Sequence, residues 1–406
     1  MIITKVETIK LKEHPRNLWI RIYTDEGIVG LGETNPKIGP VESMIHDVCA
    51  ELLLGQNPLE IEKIWNDFYL AFNHHGYAGT EMRALSGIDI ALWDILGKVA
   101  GLPVYRLLGG ASREKIKVYN TCVGYMSNND RDRFLTEPEK LAEELLSQGI
   151  TVMKIWPFDE LSREHGGQYI SPDLLRKGIE PIQRIRKSLG SEMEIALEGH
   201  GRWNLPSAKR VLRSLEEYDL LWSEDLIRPD RIQNLKELKN ETSIPVAASE
   251  RLFTRFEYSQ LMEEQAADII IADIAWSGGI SEVKKIANQA EIYQLPFAPH
   301  NCGGPVLHAA TAHLCYNIPN LWMMETVRSF IDTHFNDIAS GIPKVIDGYL
   351  KPSDKPGLGI ELRPTVLERD DVLVRVSHSS NTDASEKKVY ITSSSGDPWK
   401  TSASKV

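Results

Sequence analysis

IALEGHGRWNLPSAKRVLRSLEEYDLLWSEDLIRPDRIQNLKELKNETSIPVAASER, from Ile195 to Arg251, holds three short apolar runs that each end on a glutamate. The glutamates are Glu198, Glu224 and Glu250, each 26 residues beyond the last. A buried strand, an amphipathic helix and two short loops consume about that length, so equal spacing predicts successive βα units of one parallel sheet. The three carboxylates then stand side by side at strand C-termini, where a barrel of such units keeps its chemistry. Converging carboxylates repel one another unless a cation sits between them. All-oxygen donors without a cysteine cluster favour a hard ion, and Mg²⁺ is the commonest.

Working outward, the strand and helix alternation runs from Lys115 to about Glu325. Strands are predicted over Lys115–Cys122, Thr151–Trp156, Glu192–Glu198, Leu220–Glu224, Pro245–Ser249, Asp268–Ala272, Pro296–Pro299 and Leu321–Glu325. Helical spacing links them, as in Ala208, Val211, Leu212 and Leu215, and in Val283, Ile286, Ala287 and Ala290 with Ser281 as the expected cap. Eight strands and seven helices predict an α/β fold, a TIM barrel of the (β/α)7β kind. From the second strand onward an ionisable residue stands at each strand end: Lys154, Glu198, Glu224, Glu250, Asp273, His300 and Glu325. Structural charges favour helix faces, so this placement points to a site. Asp273 and His300 come from adjacent strands, and a carboxylate on one imidazole nitrogen fixes the tautomer a general base requires. Glu325 has an alternative as an ion-pair partner of Arg251 or Arg328.

Before the barrel, Ile2–Lys10, Trp19–Thr24 and Ile28–Glu33 alternate as an antiparallel meander. Helices follow over Glu60–Phe72 and Thr80–Ala100, the latter stopped by Gly101-Leu102-Pro103. The neighbouring His74 and His75 read as surface residues, because adjacent side chains point apart. After Glu325 the chain is predicted to return to the meander, and from Ser377 its Ser, Thr, Asp, Asn and Lys content predicts a polar tail, ordered at most near Val389–Thr392. The expected divisions are therefore 1–114, 115–326, 327–376 and 377–406.

Composition narrows the function. With 46 basic and 57 acidic residues the net charge is −11, and no Lys/Arg cluster offers a nucleic-acid surface. No run approaches the ~20 apolar residues of a membrane span, and no signal-peptide core is present, so a cytoplasmic location is expected. Cys49, Cys122, Cys302 and Cys315 lack CxxC spacing and read as buried thiols. A small-molecule substrate is the expected partner.

Beyond these patterns the chain resembles the enolase superfamily, in particular its mandelate racemase-like sugar-acid dehydratases of the galactonate and mannonate type. The resemblance covers about residues 1–370 and rests on linked motifs: GIDIALWDILGKVAGLPVYRLLGG (Gly87–Gly110), the three glutamates, ADIAWSGGISE (Ala272–Glu282), PFAPHN (Pro296–Asn301), MMET (Met323–Thr326) and PGLGIE (Pro356–Glu361). It implies an α+β capping domain closing over the barrel mouth, one Mg²⁺ per subunit on Glu198, Glu224 and Glu250, and a homo-oligomer. It also implies Asp273 and His300 as the base dyad, and Glu325 as a proton-bearing donor to the enolate oxygen. A Lys or His base working with Mg²⁺ is a known pairing for this superfamily.

Two departures narrow the subgroup. Where many relatives carry Lys-x-Lys, Lys154-Ile155-Trp156 places an indole, which takes no proton, so a two-base racemase is disfavoured. In Glu198-Gly199-His200 the histidine lies two residues past the ligand, on the same face of the strand, and resembles the general acid of those dehydratases. The expectation is an enzyme, a carbon–oxygen lyase: His300 takes the α-proton of an aldonate or aldarate beside Lys154, His200 protonates the leaving β-hydroxyl, and a 2-keto-3-deoxy acid results. Trp156, Arg251 and the loop residues His14 and Arg16 are the expected substrate contacts. Three other readings use the same residues: a cycloisomerase opening an anhydrosugar acid, a catalytically silent sugar-acid binder, and a Schiff-base aldolase on Lys154.

Overall fold

The computed structural model describes residues 1–74, 76–126, 128–379 and 388–393. Its amino-terminal sheet starts from the predicted meander. Ile3–Leu11, Leu18–Thr24 and Val29–Thr34 pair antiparallel in sequence order. The returning carboxyl-terminal segment supplies Val372–His378, which pairs with the first strand at Glu7↔Val376, and Lys388–Ser393 adds the edge. The tail expected from Ser377 therefore begins inside a strand; alternating Val372, Val374 and Val376 give this segment the β-branched content that its polar neighbours lack.

Helix Thr80–Ala100 crosses this sheet at very close range. A Cβ on Gly32 would lie 2.0 Å from the Gly87 carbonyl oxygen, and one on Gly30 would lie 2.2 Å from that of Ala91. Glycine is therefore required on the strand, and the helix ends at Gly101, whose φ of 67° is left-handed. The helix's other side meets the barrel helix Gly279–Ile292, where buried Asp89 accepts hydrogen bonds from Ser281 N at 3.0 Å and Ser281 Oγ at 2.5 Å. Ser281 is thus not the cap that its sequence position predicts. The helix starts two residues earlier, after Gly278, and the serine hydroxyl turns outward to the capping helix.

The barrel strands run in parallel order: Ile116–Thr121, Val152–Ile155, Glu194–Glu198, Trp222–Glu224, Val246–Ala248 and Ile269–Ile270. The seventh position, predicted as Pro296–Pro299, is held by single bridges from Phe297 to Ile270 and Leu321 and from His300 to Asp273, because its two prolines donate no ladder hydrogen bonds. Met324–Thr326 pairs with the first strand and closes the ring. Helices cross back between successive strands, and after Thr326 short helical turns replace the eighth, giving the (β/α)7β barrel. Tyr119, Val152, Ala196, Trp222, Ala247, Ile269 and Met323 fill its centre, so the barrel is a packed core with a mouth at one end. Among the described residues no helix is long and apolar enough to cross a membrane.

The cap is fastened to the barrel by a buried carboxylate. Glu33, at the end of the third meander strand, accepts from the backbone N–H of Gly304, of Val306 at 2.9 Å and of Leu307 at 3.3 Å, at the start of helix Pro305–Asn317. Trp19 Nε1 donates to it as well, at 3.2 Å. Orphan amides and the positive end of the helix favour an anion here. Burial nevertheless pushes the Glu33 carboxyl up to about 7.

Candidate active site

A cavity of about 490 Å³ opens where the barrel strands end. Oxygens of Glu198, Glu224 and Glu250 come within 4.8 Å of one another, and all three residues are buried. Neighbouring parallel strands bring the first two together, with Glu198 in register with Glu224. Lys154, almost fully buried on the second strand, reaches into the cluster. Its Nζ lies 3.2 Å from Glu198, 2.9 Å from Glu224 and 2.9 Å from Glu325.

This clustering sets the charge states. Burial raises the Glu224 carboxyl, and the Glu198 charge beside it raises it further, well above the carboxylate range despite Lys154. Burial alone lowers Lys154, yet Glu224 and Glu325 hold it well above its usual value, firmly protonated. Burial also raises Glu325, but Lys154, His300, Thr121 Oγ1 and the Asn301 N–H together bring it below the usual range. In this arrangement both Glu325 oxygens accept hydrogen bonds, whereas the resemblance implies a proton-bearing donor, and Lys154 is the neighbour with a proton to offer. Its expected alternative partners are elsewhere: Arg328 pairs with Asp130 and Glu144, and Arg251 reaches the His200 carbonyl.

Two histidines line the same cavity, each backed by a carboxylate. His300 donates Nδ1–H to Asp273 at 2.5 Å, and its Nε2 lies 2.9 Å from Glu250. Burial opposes its charge, but Glu250 and Glu325 outweigh that and raise it well above the ordinary imidazole range. Trp276 packs on its ring at a centroid distance of 4.7 Å, itself fixed by Nε1–H donated to Asn35 at 2.8 Å. His200 shares Asp159 with Arg202, at 2.7 Å and 2.9 Å. Burial works against its protonation, but Glu198 and the Asp159 hydrogen bond push it up to about 9. Strand pleating does not aim this side chain. The strand stops at Glu198, the next two amides turn back onto Glu198 Oε1, and His200 takes a left-handed φ of 46°.

Of the expected substrate contacts, Trp156, Arg251 and Arg16 line the cavity. Trp156 stands edge-on to His200, 5.7 Å between ring centroids, with Phe134 on its other side. His14 does not line it. The ring is buried in an adjoining hollow, stacked on His334 at 4.5 Å and bonded to Tyr125 Oη, because the loop before it folds toward the returning segment. Cys302 departs from the buried-thiol expectation: it is half-buried, faces the cavity and lies with His300 and Glu325, whereas Cys49, Cys122 and Cys315 are buried. His74 is exposed, and His75 lies outside the described residues. Asp159, Trp276 and Cys302 join the site beyond the residues predicted from the sequence. The available signal for Asp159 is its position in the loop directly after the Lys154 strand, within reach of the loop that follows the next strand and carries His200.

Comparison with known proteins agrees with this architecture. Residues 8–109 match the mandelate racemase/muconate lactonizing enzyme N-terminal domain, and residues 137–366 match the enolase C-terminal domain-like family. The chain belongs to the enolase superfamily. Within its mandelate racemase/muconate lactonizing enzyme group, a D-galactonate dehydratase of Pectobacterium atrosepticum is 34% identical over 380 residues, 91% of this chain and 94% of that one. An enolase of the mandelate racemase subgroup from Agrobacterium tumefaciens, solved with a succinimide residue, sodium and phosphate, superposes with a TM-score of 0.87 at 40% identity, covering 93% and 99% of the two chains. An enolase superfamily member from Salmonella Typhimurium gives a TM-score of 0.85 at 29% identity, covering 92% and 99%. The enolase superfamily places a divalent cation among such carboxylates. The donor set here fits one: three buried carboxylates with one oxygen each within 4.8 Å of the others.

Proposed function

We propose that this protein is a sugar-acid dehydratase that removes the proton next to a carboxylate and expels the neighbouring hydroxyl. What carries the reading is the pair of carboxylate-backed histidines, His300 with Asp273 and His200 with Asp159, facing one cavity beside the acidic cluster. The relationship to a D-galactonate dehydratase supports the same class.

Glu198, Glu224 and Glu250 would hold a divalent ion, which supplies positive charge to the substrate carboxylate and so favours its enolate form. Lys154 adds a fixed ammonium beside that carboxylate. His300 accepts the α-proton on Nε2, while Asp273 on Nδ1 fixes the ring and stabilises the imidazolium. Glu250, which raises His300, gives up that influence when its charge is engaged elsewhere. His200 is protonated near neutrality and delivers its proton to the departing hydroxyl, giving water and an enol that becomes a 2-keto-3-deoxy acid. Trp156, pressed edge-on to His200, limits the ring's freedom to turn from the cavity.

A protonated Lys154 has no lone pair for a Schiff base, so the aldolase reading loses support. The test is a panel of aldonates and aldarates scored for keto acid, followed by α-proton exchange in D₂O with His300→Asn. Dehydration with exchange lost in the variant is expected. Full turnover by His300→Asn, or ring opening of an anhydro acid with no dehydration anywhere in the panel, would overturn it.

A further inference from the structure

The outer wall of the cavity carries charge that the reaction above does not use. Arg16, Arg131, Arg163, Arg202 and Arg251 line it, and they come from five separate segments: a cap loop and the loops after four different barrel strands. Among the described residues two carboxylates answer them there. Glu160 is shared, taking Arg131 on one oxygen at 2.9 Å and Arg163 on the other at 2.9 Å. Asp159 takes Arg202 at 2.9 Å and His200 on the same oxygen. Arg251 donates to the His200 carbonyl oxygen at 2.5 Å and has no ion pair among the described residues. Arg16 has neither a hydrogen bond nor an ion pair among them.

Counting guanidinium groups alone, this wall holds three more positive charges than negative, on a chain whose net charge is −11. The inner wall has the opposite balance, with Glu198, Glu250 and Glu325 lining it beside Lys154 and with Glu224 buried against the same ammonium. A substrate carboxylate drawn to the inner wall leaves the surplus of arginine charge in place, with Arg16 and Arg251 outside any ion pair among the described residues, and the hydroxyl tail of a simple aldonate does not neutralise it. Guanidinium forks bind carboxylate and phosphate oxygens best in pairs, and a one-signed mouth concentrates anions.

Resting on the dehydratase reading, we propose that the substrate is a dianion: an acid sugar whose end remote from the reacting carboxylate bears a second anionic group, held by Arg16, Arg163 and their neighbours. A second carboxylate or a terminal phosphate ester provides that chemistry. The cavity, at about 490 Å³, is of the size that encloses small ligands.

The experiment uses full-length protein saturated with Mg²⁺ and three matched probes in galacto and manno configurations: hexonates, the corresponding hexarates, and terminally phosphorylated hexonates. Affinity is read by titration calorimetry, and keto-acid formation separately. A dianion should bind about tenfold or more tighter than its matched hexonate, with the gap narrowing as salt rises. Arg16→Gln and Arg163→Gln should weaken the dianion more than the hexonate; both side chains are exposed, so the variants keep the fold. Whether hexarate or phosphate ester leads identifies the source of the second charge. Equal affinity for hexonate and both dianions, or a dianion advantage that survives both substitutions, overturns the proposal. Because affinity and keto-acid formation are read separately, absence of keto acid from every probe would instead count against the dehydratase reading alone.

Discussion

Replacing Glu224 by glutamine separates a metal ligand from a structural ion pair. If Glu224 served mainly to neutralise Lys154, its loss would leave a buried charge unpaired, at about 3–5 kcal/mol. Lys154 keeps Glu325 at 2.9 Å and Glu198 at 3.2 Å, so no charge is orphaned. The carboxyl that is removed is also the one driven toward protonation by burial and by the Glu198 charge beside it. The metal-free variant should therefore lose less than about 1 kcal/mol, or gain slightly. Metal binding tells the opposite story. An ion present at a hundred times its dissociation constant stabilises the native state by about 2.7 kcal/mol. For a chain of 406 residues that raises Tm by about 3 °C. Scanning calorimetry of wild type and Glu224→Gln, each with chelator and with excess Mg²⁺, should show that rise in wild type and little of it in the variant. An equal Mg²⁺-dependent rise in both proteins, or a chelated variant several kcal/mol less stable than wild type, would refute Glu224 as a ligand.

Asp159→Asn removes a hydrogen bond and a charge that hold up the His200 pKa. The alkaline limb of the kcat/KM profile, where His200 loses its proton, should therefore move down by about one to two pH units, and an unmoved limb would mean another group titrates there. Gly32→Ala forces a Cβ to within 2.0 Å of the Gly87 carbonyl, backbone against backbone, and should cost about 3 kcal/mol or more; an unchanged Tm would show that cap strand and helix are less tightly opposed. Of the four thiols only Cys302 faces the cavity, and burial with Glu325 nearby pushes it up to about 11. Alkylation of the native protein should be slow near neutrality, quicken with pH, label Cys302 first and be slowed by bound sugar acid; equal labelling of Cys49, Cys122 or Cys315 would contradict this.

Much of the architecture follows from local pattern. Alternation in Ile3–Leu11, Leu18–Thr24 and Val29–Thr34 yields the meander, and the 26-residue spacing of Glu198, Glu224 and Glu250 yields three adjacent barrel units. A strand end fixes where a residue emerges, so Lys154, Asp273, His300 and Glu325 were legible too. Local pattern failed where the backbone left the regular repeat. Ser281 sits two residues inside its helix, and His200 owes its aim to a left-handed turn.

Strand periodicity converts chain position into direction, so the order of residues alone specifies which groups stand at the barrel mouth. Tertiary structure alone decided their charge and company: Glu325 as an acceptor under Lys154, Asp159 behind His200, Cys302 within the cavity, His14 outside it, and arginines from five segments along one wall. Protonation and partnership depend on distances between residues far apart in the chain, and no local period encodes those distances.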